Sequence, residues 1–454
     1  MPGKKLGKKW VARKGKPVGG VERLLAKATR FKHEVEKKSG KDERWLVGRA
    51  KMLGPGLIAG AADDDAGGIA TYSIVGATTG FALSWLMFLT TPMLIAVQRT
   101  CALLGDVTRK GLATLIREKY GMTMAVFATL VLVIANVATI TADLAGLSVA
   151  GELLTGIAWY YFTLPLAAIL VYVVVYRNFK TIQKMLIYLS LVLLAYLVSG
   201  LLSHPDWLAL LHDTLIPQIK FTPEFLLAAV GLLGTTITPY LFFWQTATEI
   251  EAKRTEKQSK RVDFDIFAGM AYSNIISYFI IVSAGAVLYP RLQLLGSLQN
   301  AADPIKFIAL ALKPAAGDYS FYLFALGLFA ASALAIIVLA SSTAYVVAET
   351  FQWKRGLNKK VKQAKNFYAV LAGSVALGIA VLASGVKPID AMYYSQVLSG
   401  ILDPILLLFI LKLATDEKLM GQYAITGWTK AIVWFAIIAI SFFDLLLLRQ
   451  VLGV

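Results

Sequence analysis

The chain alternates between long apolar runs and shorter polar connections over most of its length. Most of the runs come close to the roughly 20 residues that an α-helix needs to cross a bilayer. They lie at about residues 52–79, 82–104, 124–153, 160–176, 185–202, 224–249, 264–289, 318–350, 367–384, 390–413 and 428–448. The pattern predicts an all-α membrane protein with about eleven transmembrane helices.

Two of these runs contain residues that disfavour a continuous helix. The first has Asp63, Asp64 and Asp65 followed by two glycines, and the sixth has "GTTITP", where Pro239 removes a backbone donor. Non-helical backbone at membrane depth is tolerated only where it is buried in protein or lines a cavity. Because the interrupted spans are five apart, they indicate two inverted five-span repeats with a transport site between discontinuous helices 1 and 6. Two kinked helices with buried polar residues are the alternative.

This organisation divides the chain into four parts. They are a basic tail at 1–51, a first repeat at 52–215, a second repeat at 216–415, and an eleventh span with the C-terminus at 416–454. The tail carries 17 of the 45 Lys and Arg residues. We expect it to stay in the cytoplasm, either as an amphipathic helix on lipid near residues 21–38 or as a solvated disordered segment.

Composition supports a polytopic membrane protein. Hydrophobic residues make up 57% of the chain and charged residues only 16%, with a mean hydropathy of +0.65. The net charge of +17 does not predict a nucleic-acid partner, since its excess lies in the tail and in alternate connections. By the positive-inside rule the N-terminus is cytoplasmic, and eleven spans put the C-terminus outside. The single cysteine, Cys101, excludes disulfides and thiolate metal clusters within one chain.

The residues at the two breaks suit a hard metal cation. Asp65 directly precedes the flexible Ala-Gly-Gly stretch, and Thr235, Thr236 and Thr238 offer hydroxyl and carbonyl oxygens from the opposite break. Neither break contains sulfur or imidazole, so Mg²⁺, Ca²⁺ or Mn²⁺ fits better than copper, zinc or iron. Asp63 and Asp64 project away from Asp65 in a helix; one would face the pathway and the other accept hydrogen bonds from a neighbouring span.

These motifs resemble the Nramp family of divalent-metal transporters. "GPGLIAGAADDDAGG" is similar to the first-span signature of that family and "GTTITPYL" to its sixth-span signature, while "SSTAYVVAETF" and "SQVLSGILDP" resemble its eighth and tenth spans. The resemblance covers about residues 50–415 and implies a LeuT-type fold and divalent-cation transport. It also implies a metal site made of Asp65, Gly68, Thr235 and Thr238.

Two positions of the implied metal site depart from the family pattern. Gly68 stands where the family has an asparagine ligand, and Thr238 stands where it has a methionine. Smaller side chains leave room for water, and Mg²⁺ dehydrates reluctantly. The chain is most similar to the magnesium-transporting branch, so the expected function is entry of partly hydrated Mg²⁺, and also Mn²⁺, by alternating access. A trivalent-ion branch or a degenerate member is the alternative within the family. The expected protein is a monomer without a cofactor.

Other polar residues have roles that the resemblance implies. Asp143 matches an acidic residue on the proton route of the family, Gln396 a glutamine that approaches the ion, and Asn274 a seventh-span asparagine near the site. Tyr240 and Gln245 follow the second break on the pathway side. Gln245 replaces a histidine, and Gly146 replaces an acidic residue three positions after Asp143. We therefore expect transport without obligatory proton coupling, with a proton-coupled Mn²⁺ or Fe²⁺ symporter as the alternative.

The remaining acidic residues are less specific. Asp403, before Pro404, either lines the pathway or is a hydrogen-bonded polar residue at a kink, and we expect the latter. Glu249 and Glu251 end span six and are expected on a solvated face. An Mg²⁺-dependent intramembrane enzyme is the rival class, but the second Asp-rich motif of a prenyltransferase is missing. The paired motifs of an intramembrane aspartyl protease are missing as well.

Overall fold

The structure is a computed structural model that describes residues 55–176, 188, 191–252, 259–298, 301, 303–357 and 359–452. The described residues belong to one compact unit. The predicted basic tail at 1–51 lies outside them. The part of the chain that the structure describes is almost entirely helical.

The longer helices follow the predicted order of spans. They are α1 (Pro55–Asp63), α2 (Ala66–Thr79), α3 (Ser84–Thr108), α4 (Leu112–Thr155), α5 (Tyr160–Tyr176), α6 (Leu194–Leu202), α7 (Trp207–Leu215), α8 (Pro223–Thr236), α9 (Pro239–Ala252), α10 (Ser259–Val287), α11 (Ser320–Thr350), α12 (Lys365–Ala383), α13 (Pro388–Ala414) and α14 (Gly427–Leu452). Short helices at Tyr289–Leu295, Pro304–Ala309, Lys313–Ala316 and Glu417–Met420 belong to the connections.

Each of the eleven predicted runs contains helix. Within the described ranges, eight helical segments are long and apolar enough to cross a membrane, and counting the bent pair 191–202 and 207–215 as one span gives nine. The helix α5 is apolar but has only 17 residues. The first span is divided into α1 and α2, and the sixth into α8 and α9, so both predicted breaks are confirmed. The boundaries of the two repeats stay a prediction.

Three predicted connections contain helix that the hydrophobic pattern did not predict. Residues 112–120 are the start of α4, which bends where Gly121 takes a φ of 87°. The link after the fifth span contains α7, whose first turn is capped because Asp206 accepts hydrogen bonds from the amides of Leu208 and Ala209. The connection after α10 contains three short helices. These segments were missed because hydropathy identifies apolar runs of bilayer length, and each of these helical segments is shorter than a membrane span.

The core is built around two scaffold helices and the two broken spans. The helix α4 packs extensively on α11 and α13, and α10 packs on α1 and α2. The helix α8 packs on α13 and α2, so both breaks are enclosed by α4, α10, α11 and α13. At one end of the bundle, Lys119 in α4 forms an ion pair with Asp416 at 2.8 Å and lowers the pKa of that carboxyl by hydrogen bonding. The predicted topology places these two connections on the same side.

Candidate metal-ion site

The first break interrupts the helix at Asp64 and Asp65. The helix α1 ends at Asp63, and α2 begins at Ala66 with Asp65 as its N-cap in an extended conformation (φ −75°, ψ 177°). The Asp65 Oδ1 atom accepts a hydrogen bond from the amide of Gly68 at 2.5 Å. This cap fixes the carboxylate at the N-terminus of α2, where the helix dipole stabilises negative charge.

The second break faces the first. The helix α8 ends at Thr236 and α9 begins at Pro239, so Ile237 and Thr238 lie outside regular helix. A proline is tolerated at this position because the first amides of a helix have no intrahelical acceptor, so its missing N–H costs no hydrogen bond. Tyr240 joins the two breaks, since its hydroxyl donates to the carbonyl of Ala62 in the last turn of α1 at 2.7 Å. The backbone carbonyl of Tyr240 in turn accepts from the Ser342 hydroxyl in α11 at 3.0 Å.

Gln396 lies over the Asp65 carboxylate. Its side-chain amide nitrogen is 3.3 Å and 3.4 Å from the two Asp65 oxygens. Both side chains are fully buried. The resemblance implied an approach of this glutamine to the ion, and the structure places it against the carboxylate expected to bind that ion.

Gly68 and Thr235 lie side by side at this carboxylate. A β-carbon at Gly68 would be 2.8 Å from the Thr235 hydroxyl oxygen and 3.1 Å from Asp65 Oδ1. The Thr235 hydroxyl is buried and has no hydrogen-bond partner among the described residues. Since a buried hydroxyl without a partner is costly, this oxygen is a candidate donor to a bound ion or to its water.

Asp63 binds the second break directly. Its Oδ1 atom accepts a hydrogen bond from the Thr238 hydroxyl at 3.0 Å, and its Oδ2 atom accepts from the Ser273 hydroxyl at 2.9 Å. The contact between Asp63 and Thr238 connects α1 to the unwound stretch before α9. Asp63 is therefore a hydrogen-bonded neighbour of a predicted ligand, and it is buried.

Asp64 points toward α10. One of its oxygens accepts from the hydroxyls of Ser273 and Ser277, at 3.1 Å and 3.0 Å. These two serines were missed by the sequence reasoning. The signal was available, because they are four residues apart in "MAYSNIISYF" and so share one face of an apolar helix. Asn274 lies beside them, but its amide nitrogen donates to Thr91 at 2.7 Å rather than to a residue of the breaks.

Asp143 reaches the same break from α4. Its Oδ1 atom accepts a hydrogen bond from the amide of Ala66 at 3.0 Å, which places it at the N-terminus of α2. A β-carbon at Gly146, one turn further along α4, would overlap the β-carbon of Ala66 and lie 2.8 Å from the Ser332 hydroxyl. The acidic residue that the family has at this position would not fit here without rearrangement.

Two expectations about acidic residues are wrong. Glu249 is fully buried and accepts a hydrogen bond from the Gln245 amide at 2.9 Å, so it does not lie on a solvated face. The reason is that α9 packs on α3 and α11. Asp403 is buried but is not satisfied, since neither of its carboxylate oxygens has a hydrogen-bond partner in the described part of the chain. The side chain of Glu251 lies outside the described residues.

The site is closed on both sides. A cavity of about 600 Å³ opens at the predicted outer end and includes Thr78, Glu224 and Asp390 in its lining, while a second of about 290 Å³ at the other end includes Glu349 and Arg355. Neither is lined by the residues at the breaks. The carboxylates of Asp63, Asp64, Asp65 and Asp143 have no salt bridge to any cationic side chain that the structure describes. A cation bound among them would offset the cost of burying them in the ionised form.

Comparison with known proteins identifies the family. The family model described as "Natural resistance-associated macrophage protein-like" matches residues 56–450. The chain belongs to the Nramp family. It is 28% identical over 394 residues to the "Divalent metal cation transporter MntH" of Yersinia pestis, covering 84% of this chain and 90% of that protein. It is 25% identical over 416 residues to the protein of the same name from Deinococcus radiodurans, covering 87% of this chain and 90% of the other.

Solved structures confirm the fold of this Nramp protein. The Eremococcus coleocola manganese transporter superposes with a TM-score of 0.69 at 19% identity, covering 89% of this chain and 87% of the other. The amino-acid-bound transporter MhsT superposes with a TM-score of 0.58 at 17% identity, covering 86% and 98%. The fold is therefore of the LeuT type. Membership of the Nramp family excludes the rival interpretation of an intramembrane enzyme.

Proposed function

We propose that this protein transports divalent metal cations across a membrane by alternating access, with Asp65 as the central ligand. One observation carries the proposal: two unwound helix breaks face each other around a buried carboxylate that no cationic side chain neutralises in the described structure. Asp65, Gly68, Thr235 and Thr238 form the proposed site, the last three through backbone or hydroxyl oxygens. We expect the protein to act as a monomer with its N-terminus in the cytoplasm.

Manganese is the substrate that the relatives favour. The MntH proteins are named as divalent metal cation transporters, and the superposed Eremococcus protein is named as a manganese transporter. Mn²⁺ accepts carboxylate, carbonyl and water ligands, which are the oxygen donors available at the two breaks. The site composition is therefore compatible with Mn²⁺ although Thr238 replaces the thioether of the family.

Partly hydrated Mg²⁺ is the second candidate. It is favoured by the absence of a side chain at Gly68, next to the partnerless hydroxyl of Thr235. Mg²⁺ keeps several water molecules when it binds to proteins, and a site with fewer protein ligands leaves space for them. This candidate depends on the two departures from the family motif, and the names of the relatives do not support it.

We expect transport that does not require a proton gradient. Asp143 lies at the break, but Gly146 cannot act as its acidic partner, and the histidine position of the family is occupied by Gln245. A membrane potential favours entry of a divalent cation by about 4.6 kcal/mol per 100 mV, which is sufficient for about a thousandfold accumulation. The alternative is a proton-coupled Mn²⁺ symporter; the relatives' names support manganese as its substrate, and coupling has to be measured.

Proteoliposomes test all three points together. Uptake of Mn²⁺, Mg²⁺ and Ca²⁺ would be compared at equal membrane potential, with a pH-sensitive dye inside the vesicles. We expect the unmodified protein to take up the ion without acidifying the lumen. The Asp65→Asn variant should show no uptake. Acidification that scales with Mn²⁺ uptake and is lost in Asp143→Asn would establish the proton-coupled alternative. Absence of uptake for every divalent cation would contradict the proposed function.

A further inference from the structure

The Thr238 hydroxyl is held by a residue from the opposite half of the protein. Thr238 lies in the unwound stretch between α8 and α9, and its hydroxyl donates to Asp63 Oδ1 at 3.0 Å. Both side chains are buried, with exposed fractions of 1%. The two residues are 175 positions apart, so this bond joins the first break to the second.

A hydroxyl group has one hydrogen and two lone pairs. When a hydroxyl oxygen binds a metal ion, a lone pair faces the ion and the hydrogen has to point elsewhere. In this protein the hydrogen of Thr238 is directed at the Asp63 carboxylate, so it does not compete with an ion for a lone pair of the same oxygen. An acceptor for that hydrogen orients the ligand and increases the electron density on its oxygen, as the outer partners of metal ligands generally do.

Asp63 is itself held in place from a third helix. Its other oxygen lies 2.9 Å from the Ser273 hydroxyl, which is also 3.1 Å from Asp64 Oδ1, so the two carboxylates share the one hydrogen of Ser273. The chain Ser273–Asp63–Thr238 therefore runs from α10 through the end of α1 to the second break. Asp64 offers a natural comparison, since it is equally buried and shares Ser273 but has no hydrogen bond to Thr238 in the described structure.

We propose that Asp63 is a positioning residue that turns Thr238 into an oriented oxygen ligand and thereby favours hard cations over soft ones. The inference depends on the proposed function, because it concerns the same ion site. Asp63 contributes through Thr238 and not by binding the ion itself. Removing its acceptor oxygen should weaken binding of Mg²⁺ and Mn²⁺ and should change the Mn²⁺ to Cd²⁺ preference.

The test is isothermal titration of the purified full chain with MnCl₂, MgCl₂ and CdCl₂. The variants are Asp63→Ala, Asp63→Asn, Thr238→Val and the double variant Asp63→Ala with Thr238→Val. We expect Asp63→Ala to weaken Mn²⁺ binding roughly 10- to 100-fold, as loss of an outer partner of a metal ligand does. Asp63→Asn keeps an acceptor oxygen and should lose less. Asp64→Asn is the matched control, because it removes the same charge without touching Thr238.

The double variant decides between orientation and charge. If Asp63 acts through Thr238, the double variant should bind Mn²⁺ no more weakly than Thr238→Val alone, and both should show the same Mn²⁺ to Cd²⁺ ratio. Additive losses, or an equal loss in Asp64→Asn, would overturn the inference, because they would show a general effect of negative charge. An unchanged Mn²⁺ to Cd²⁺ ratio in Asp63→Asn and Asp63→Ala would also overturn it. If the unmodified protein binds none of the three ions, the proposed function itself fails.

Discussion

Replacing Asp65 with asparagine removes the negative charge of the side chain and keeps its size and shape. The Asp65 side chain caps α2 by accepting from the Gly68 amide at 2.5 Å, and asparagine is an equally good N-cap. The fold should therefore be retained while the carboxylate charge is lost. A charge of −1 at about 2.2 Å from a divalent cation contributes about 4 kcal/mol even at the dielectric constant of water. This corresponds to a loss of affinity of several hundredfold, at about 1.4 kcal/mol for each tenfold change.

The assay is isothermal titration of Asp65→Asn with Mn²⁺, with thermal unfolding measured on the same sample. Asp64→Asn serves as the control, since it removes an adjacent buried charge that is bound by serines of α10 rather than placed at the start of α2. We expect a severe loss for Asp65→Asn, a smaller one for the control, and similar unfolding temperatures for both. Asp65 would be refuted as the central ligand if the dissociation constant of Asp65→Asn lay within about threefold of that of the unmodified protein. Such a change is well below the tenfold that 1.4 kcal/mol represents.

Three further predictions concern the departures from the family motif and the acidic residue at position 143. Gly68→Asn with Thr238→Met should raise Cd²⁺ affinity relative to Mg²⁺ in titrations, and Thr235→Ala should improve that variant, because a β-carbon at position 68 lies 2.8 Å from the Thr235 hydroxyl. An unchanged preference would locate selectivity elsewhere. Gly146→Glu should lower the free energy of unfolding by about 1–3 kcal/mol, because its side chain overpacks the core; thermal unfolding measures this. A variant that is as stable as the unmodified protein and gains proton coupling would contradict the prediction. Asp143→Asn should leave Mn²⁺ uptake independent of a pH gradient in vesicles, whereas the appearance of such a dependence would oppose that prediction.

The architecture was predictable because its signals are local. Bilayer-length apolar runs predict the helices, and glycine and proline inside two of them predict the breaks at Asp65 and Pro239. The match to family motifs added Gln396 and Asp143, which the structure brings to the first break. Each of these predictions needs only the spacing of residues along one segment.

The contacts between segments were harder to predict. Ser273 and Ser277 form a clear pattern on one helix face, but the sequence does not indicate that this face meets Asp63 and Asp64. The burial of Glu249 also depends on the packing of α9, which hydropathy does not reveal. Polar residues inside a span are therefore identified by sequence, whereas their partners are set by the tertiary arrangement.

The hydrogen-bond donors around the buried carboxylates connect ion binding with closure of the site. Hydroxyl groups of Ser273, Ser277 and Thr238 donate to Asp63 and Asp64, while Asp65 receives a backbone amide and the amide of Gln396. None of these donors carries a positive charge, so they reduce the cost of burying the carboxylates without neutralising them. Without an ion, a closed site would have to bury these carboxylates as charges or neutralise them with protons, and either costs free energy. A bound divalent cation offsets that cost, so it interacts more favourably with the closed arrangement than with an open, hydrated one. Such a difference in interaction between two states is what allows a ligand to shift a conformational equilibrium.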